Sequence, residues 1–324
     1  MNVTITGGLG FLGRLLARRL TADRHEVVLF DVEGPPDEPG LRIVRGQVND
    51  AAAVGAAIPP GTDAVVHLAS MVSAECELDF DAALMVNLDG TRTVLEAARQ
   101  LPTPPRFLFA SSVAVFGAAP AEPMAAGLSS VPVTAGGDNV KQLPATTYGT
   151  TKAIGELLVN DYTRKGFIDG RSARLPTVVI RPGRPNAAAS AFASGVFREP
   201  LAGQPSVVPV DPSTPVVVIG HRTAVEGLVG LLLIEGSRIG ADRAVGLPAL
   251  EVTVAEMIAA SDARAPRGGL IEMRPDPQVQ AVVGSWPGKW ESLRARALGL
   301  PQDTNLDAII DAYLQDFTQE QDFT

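Results

Sequence analysis

Four glycines, Gly7, Gly8, Gly10 and Gly13, stand between a β-branched run and a helical pattern in MNVTITGGLGFLGRLLARRL. Glycine loses the most conformational freedom on ordering, so such a cluster means that bare backbone is needed there. Val3 to Thr6 reads as a buried strand and Phe11 to Leu20 as a helix. Gly8, Gly10 and Gly13 fit G-x-G-x-x-G, and Gly7, Gly10 and Gly13 fit the looser G-x-x-G-x-x-G. A glycine turn from strand to helix suits a pyrophosphate, because the helix N-terminus offers free N–H groups and partial positive charge. The pattern predicts dinucleotide binding through Gly7, Gly10, Phe11, Leu12 and Gly13.

The rest of the first half keeps the rhythm that such a turn requires. HEVVLFDV, LRIVRG, AVVHLAS, RFLFASS and ARLPTVVIRPG read as further strands. MVNLDGTRTVLEAARQ and YGTTKAIGELLVNDYTRK have helical spacing. This alternation predicts an α/β protein with a doubly wound parallel sheet, a Rossmann fold, covered by helices on both faces. After about Arg181 the pattern changes. GQPSVVPVDPSTP is turn-rich, VVVIGHRTAVEGLVGLLLIEG returns to strand and helix, and the remainder mixes short helices with irregular chain. The expected division is a nucleotide-binding part over 1–176 with a returning segment at about 213–246. A smaller C-terminal substrate-binding cap takes 177–212 and 247–324.

Composition narrows the function. With 324 residues and 46% apolar content there is ample material for a buried core. A net charge of −9 argues against a general nucleic-acid binder. It leaves room for an anionic small-molecule substrate, since a few arginines in one pocket outweigh distant charges. Cys76 is the only cysteine and the histidines at 25, 67 and 221 lie far apart, so neither a disulfide nor a metal is expected. The chain opens on an apolar strand without a charged leader, and GLVGLLLI is too short to cross a bilayer. No signal peptide, no membrane partner and a cytoplasmic location are the expectations.

Three further features carry chemistry. Asp31 closes the second strand, 18 residues after Gly13, where a carboxylate can accept hydrogen bonds from the adenosine ribose hydroxyls. The same charge, with Glu33, repels a 2′-phosphate and favours NAD over NADP, although Arg14 is a cation within reach of a phosphate. Tyr148 and Lys152 stand at i and i+4 on one helix face. A nearby cation favours the phenolate, so Tyr148 can exchange a proton with a substrate hydroxyl, while Lys152 can also hold the nicotinamide ribose. Ser111 and Ser112 end the RFLFASS strand, at the carboxyl edge where open parallel sheets bind ligands. A hydroxyl there can hydrogen-bond the reacting oxygen.

TGGLGFLG, Asp31, HLAS, VNLDGT, SSVAVFG and YGTTK, in that order, resemble an extended short-chain dehydrogenase/reductase, the superfamily of nucleotide-sugar epimerases and dehydratases. The resemblance implies Ser112, Tyr148 and Lys152 as catalytic residues and a homodimer built through a helical bundle. It also implies cofactor contacts from Gln47, Val48, Leu68, Ala69, Asn87, Leu175 and Pro176. Gln47 replaces the usual acid near adenine, and Phe116 a more usual Tyr. Val113 and Ala114 follow Ser112 where sugar dehydratases carry Asp and Glu, so dehydration is not expected. RLPTVVIRPGRPNAAASAFASGVFREPLAG and SWPGKW resemble the subgroup that oxidises carbon 2 of the four-carbon acid D-erythronate with NAD.

A sugar acid needs a cation for its carboxylate, best a planar guanidinium. Arg181 ends the sixth strand and Arg184 follows. Thr177, Asn186 and Ser190 supply polar groups for the substrate, and His221 and Arg222 follow a strand within possible reach. The leading expectation is therefore hydride transfer from a sugar acid to NAD. Epimerisation of a nucleotide sugar, or a non-catalytic cofactor sensor, are the alternatives.

Overall fold

The computed structural model describes residues 1–34, 40–117, 135–183 and 188–317. Its centre is a seven-stranded sheet in which every pairing is parallel. In spatial order the strands are Ala244–Gly246, Asp169–Leu175, Arg106–Ser112, Ala64–His67, Asn2–Thr6, Glu26–Asp31 and Arg42–Arg45. The order doubles back on either side of Asn2–Thr6 and Ala64–His67, which makes the topological switch point that parallel sheets use for ligands. Strands buried on both faces read as nearly continuous apolar runs, and AVVH is buried at every position.

Helices Phe11–Ala22 and His221–Leu233 cover one face through Leu16, Leu20, Leu228 and Leu231. Ala51–Ala57, Gly90–Arg99 and Thr147–Arg164 cover the other, where Val54, Val94, Leu95 and Val159 meet Phe107 and Phe109. The stretch expected as one helix from Met85 begins with a π-helical turn, Leu84–Asp89, before Gly90–Arg99. That wide turn carries the buried Asn87.

ARLPTVVIRPG is two strands where one was expected. Asp169–Leu175 belongs to the large sheet, and Thr177–Val179 to a three-stranded sheet with Pro215–Gly220 and Leu250–Thr253. Pro176 lies at the break, where it has no N–H to give to a ladder. The cap has its own core: Val179, Phe197, Val216, Val254, Met257 and Ile310 are buried together. Segment 213–246 contributes to both parts, its strand to the small sheet and Ala244–Gly246 to the large one. Among the described residues, no helix is long and apolar enough to cross a membrane.

Candidate active site

The glycine turn is shaped by contacts that a side chain would spoil. Gly7 has φ +66°, and a Cβ there would lie 2.7 Å from the Ala69 amide nitrogen. A Cβ on Gly13 would lie 2.5 Å from the Gly7 carbonyl oxygen, so the helix can sit on the strand end only with glycine there. Gly10 is the N-cap residue of the first helix, and no side chain caps that helix. The first amide groups of the helix therefore remain for a ligand. Gly7, Gly10, Phe11, Leu12 and Gly13 line a cleft of about 340 Å³. A bare, uncapped cradle of this kind fits a dinucleotide pyrophosphate.

Asp31 flanks this turn from outside the cleft. Its carboxylate accepts the Leu9 amide at 2.9 Å and the Val32 amide at 2.8 Å. Leu68, Leu175 and Pro176 line the cleft as expected. Gln47, Val48, Ala69 and Asn87 do not border it. Gln47 is exposed beyond the third strand, and Val48 is buried in the core beneath Gly90. The Ala69 amide meets Thr6 Oγ1 at 3.4 Å. Asn87 spends its amide inside the protein: Oδ1 accepts the Met71 amide at 2.8 Å, and Nδ2 donates to the Met71 carbonyl at 3.2 Å and Thr151 Oγ1 at 3.4 Å. It thereby ties the loop after His67 to the helix that carries Tyr148 and Lys152.

That helix, Thr147–Arg164, starts where Thr146 Oγ1 accepts the Gly149 amide at 3.1 Å. The cap sets Tyr148 at the mouth and Lys152 one turn deeper. Gly149 is required by close approach: a Cβ there would lie 2.1 Å from the Ala114 carbonyl oxygen. With glycine, the helix start closes on the turn after Ser112, and the Tyr148 phenol comes beside the Ser112 side chain in the cleft. Lys152 Nζ lies 5.5 Å from the Tyr148 ring centroid and donates to the Ala110 carbonyl at 2.8 Å. Ser112, Tyr148 and Lys152 all line the cleft.

Burial governs the charges here. It pushes the Tyr148 phenol up to about 12, against a lowering by the Ser112 hydrogen bond. It pushes Lys152 down to about 8. The expected stabilisation of the phenolate by Lys152 does not set the Tyr148 pKa here; burial does, while the Lys152 ammonium lies over the ring and donates to Ala110. Below them Glu156 pairs with Arg174 at 2.8 Å, both nearly inaccessible, and accepts the Ser111 hydroxyl at 2.5 Å. This pair fastens the ends of two central strands to the same helix. His67 is a core residue: Nδ1 meets Thr6 Oγ1 at 2.6 Å, Nε2 meets Thr91 Oγ1 at 3.0 Å, and burial, then the Lys152 charge, depresses it to about 3.

Thr177, Arg181 and Ser190 line the cap side of the cleft. Asn186 and Arg184 lie outside the described residues. Burial, then the neighbouring Arg198 cation, lowers the Arg181 pKa, and among the described residues no carboxylate pairs with the Arg181 side chain. Ser194 and Arg198, one helical turn apart on Ala191–Leu201, clamp the Arg181 backbone. Ser194 Oγ accepts its amide at 3.0 Å, and Arg198 Nη1 donates to its carbonyl at 2.9 Å. Ser190 is the N-cap of that helix and leaves its hydroxyl unused for capping. His221 and Arg222 do not reach the cleft; both bind Asp316 on Leu306–Phe317, at 2.8 and 2.5 Å.

Ser194, Arg198, Ser70, Ser73 and Trp286 border the cleft without having been singled out by the sequence. For Ser194 and Arg198 the i, i+4 spacing after Arg181 is a usable signal; Trp286 stands in SWPGKW, which carries a resemblance but no role. Among the described residues, no group of His, Cys, Asp or Glu could hold a metal.

Residues 3–225 match the NAD dependent epimerase/dehydratase family. The chain is 44% identical to the D-erythronate dehydrogenase of Cupriavidus necator, with 98% of each chain covered. It is 35% identical to the D-erythronate dehydrogenase of Haemophilus influenzae, over 97% of this chain and 99% of that one. Among solved structures, a nucleoside-diphosphate-sugar epimerase from Agrobacterium tumefaciens matches with a TM-score of 0.86 and 36% identity. It covers 98% of this chain and 95% of that one.

Proposed function

The chain belongs to the NAD-dependent epimerase/dehydratase family, and from that premise we propose that it oxidises the carbon-2 hydroxyl of a small sugar acid, D-erythronate or a close aldonate, to the 2-oxo acid. The observation that carries the reading is Arg181, a half-buried cation with no carboxylate partner among the described residues, in the same cleft as Ser112 and Tyr148. A partly desolvated cation of this kind suits an anionic substrate. The uncapped start of Ala191–Leu201 adds partial positive charge on the same side.

In this reading Tyr148 removes the proton from the carbon-2 hydroxyl while Ser112 hydrogen-bonds the same oxygen. Lys152, 5.5 Å from the Tyr148 ring centroid, is the neighbouring cation that assists Tyr148 in this reading. When bound, NAD would supply the acceptor for the hydride from carbon 2. Gly7, Gly10, Phe11, Leu12 and Gly13 hold the pyrophosphate, and Asp31 the adenosine ribose. Leu68 borders the nucleotide side, Leu175 and Pro176 the nicotinamide end, and Gln47, Val48, Ala69 and Asn87 lie outside the cleft lining and support it from behind. Arg181 binds the carboxylate, with Thr177, Asn186 and Ser190 as further polar groups. Residues 1–176 and 213–246 thus serve the cofactor, while 177–212 and 247–324 serve the substrate.

The test is a panel of four- to six-carbon aldonates with NAD, followed at the reduced-nicotinamide absorbance. Net NADH with D-erythronate is expected. Tyr148→Phe should lower kcat by about 10³-fold while NAD binding persists. The likeness to the Agrobacterium epimerase favours a second reading, epimerisation of a nucleotide sugar. Turnover of such a sugar without net NADH, and no reaction with any aldonate, would establish that reading instead.

A homodimer is part of the proposal. Leu78 is 86% exposed, Phe80 58% and Leu157 61%, on helices that pack together beside the sheet. Apolar exposure of this extent suits a helical interface. Sedimentation should give a dimer, and Leu157→Asp should shift it toward monomer.

A further inference from the structure

Phe11 lines the cleft beside the glycine turn and opens helix Phe11–Ala22, directly after the N-cap Gly10. The Phe11 amide is one of the free donors that a pyrophosphate at this turn would use. With no polar cap, the orientation of this first turn depends on the glycine backbone and on side-chain packing, including that of the Phe11 ring.

The ring packs on two others. The Phe317 centroid lies 6.1 Å away and the His221 centroid 6.4 Å, and those two rings are 5.0 Å apart. Phe317 in turn lies 5.5 Å from Tyr313, a buried member of the cap core. A chain of rings therefore runs from the cap core to the dinucleotide turn. Polar contacts fix the helix that carries Phe317, Leu306–Phe317. Asp316 meets His221 Nε2 at 2.8 Å and accepts Arg222 Nε at 2.7 Å. Before the helix, Asp303 accepts the Gly220 amide at 2.7 Å and the Thr223 hydroxyl at 2.6 Å. Both ends of segment 303–317 are thus fastened to the start of His221–Leu233, which packs beside Phe11–Ala22 on one face of the sheet. His221, Asp303, Asp316 and Phe317 do not themselves border the cleft.

We infer that Phe317 is a positioning residue for the cofactor. Through the Phe11 ring it holds the first turn of Phe11–Ala22 in place at the dinucleotide cradle, so the last helix of the cap serves NAD as well as the substrate. The inference rests on the reading of the glycine turn as the dinucleotide site. A turn already held in its binding shape has less freedom to lose when the ligand arrives.

The experiment is a calorimetric titration with NAD alone, without substrate or turnover. Phe317→Ala should raise the NAD dissociation constant about 3- to 10-fold, the range an aromatic contact supplies. Phe317→Tyr keeps the ring and should stay within about twofold of wild type. Ile310→Val removes a methylene group from the cap core on the same helix. It should lower the thermal midpoint and leave NAD affinity unchanged. In the background of Phe11→Leu, adding Phe317→Ala should alter NAD affinity by less than about twofold, because the shared contact is already gone. In turnover, Phe317→Ala should raise KM for NAD and spare KM for D-erythronate at saturating NAD. Unchanged NAD affinity in Phe317→Ala, equal weakening in Ile310→Val, or losses at 11 and 317 that multiply would each overturn the inference. A wild-type protein that binds no NAD defeats the reading of the glycine turn first, and this inference with it.

Discussion

Two groups of arginines on opposite sides of the large sheet differ in what faces them. At the amino-terminal edge, Arg106, Arg171 and Arg243 sit where three strands begin, and each meets an anion. Arg171 and Arg243 share Asp169 at 3.1 and 2.6 Å, and Arg106 pairs with Glu235 at 2.7 Å. The carbonyls that end helix His221–Leu233 take the remaining donors: Leu233 from Arg106 at 3.0 Å and Ile234 from Arg171 at 2.8 Å. A helix C-terminus is a natural seat for cations. Beyond the carboxyl edge, Arg181 is half-buried, and among the described residues another cation, Arg198, is the charge beside it. The first cluster is a joint between strands and helix. The second, in the proposed reading, is a charge that a ligand completes.

Substitutions should separate the two. Arg181→Met should cut kcat/KM for the acid by about 10³-fold, since it leaves a buried substrate charge unpaired. Its thermal midpoint should stay level or rise, because an uncompensated cation has gone. A fall in stability with intact kinetics would reverse the assignment. Arg171→Met should do the opposite, costing about 3 kcal/mol in urea unfolding and sparing kcat. Arg171 is fully buried and bonds both Asp169 and the helix end, so a neutral outcome there would dissolve the contrast.

Lys152 sharpens the comparison through pH. Its pKa falls from 10.5 in the unfolded chain to about 8 in the fold, so the folded state binds the proton less tightly. Below pH 8 the full cost of the buried charge is present, and it disappears as pH rises to about 10.5. Lys152→Met should therefore be more stable than wild type at pH 7 by on the order of 2 kcal/mol. The gap should close by about pH 10.5, and a gap independent of pH counts against it. Burial of Tyr148 is common to both proteins and cancels in the difference. The smallest effect belongs to the backbone clamp: Ser194→Ala should raise KM about fivefold with kcat nearly unchanged.

Much of this was readable along the chain. The glycine turn, the strand ending in Ser111 and Ser112, and the Tyr148–Lys152 helix are each specified within about twenty residues by backbone need and apolar period. The break at Pro176 was visible as a proline but not as a change of sheet, since pairing with Pro215–Gly220 is a long-range choice. Asn87 is legible as a polar residue in an apolar helix. That its amide closes on Met71 depends on a π-helical turn with no marker in the local pattern.

The sequence by itself determined the βαβ scaffold, the cradle for a dinucleotide and the spacing of phenol and amine, because these follow from steric and periodic rules acting over short stretches. Only the tertiary structure decided which arginine lines the cleft with no carboxylate partner among the described residues, and which glycine lets the Tyr148 helix close on the turn after Ser112. Desolvation is a property of the finished packing. Whether a buried polar group is satisfied depends on segments that may lie a hundred residues away.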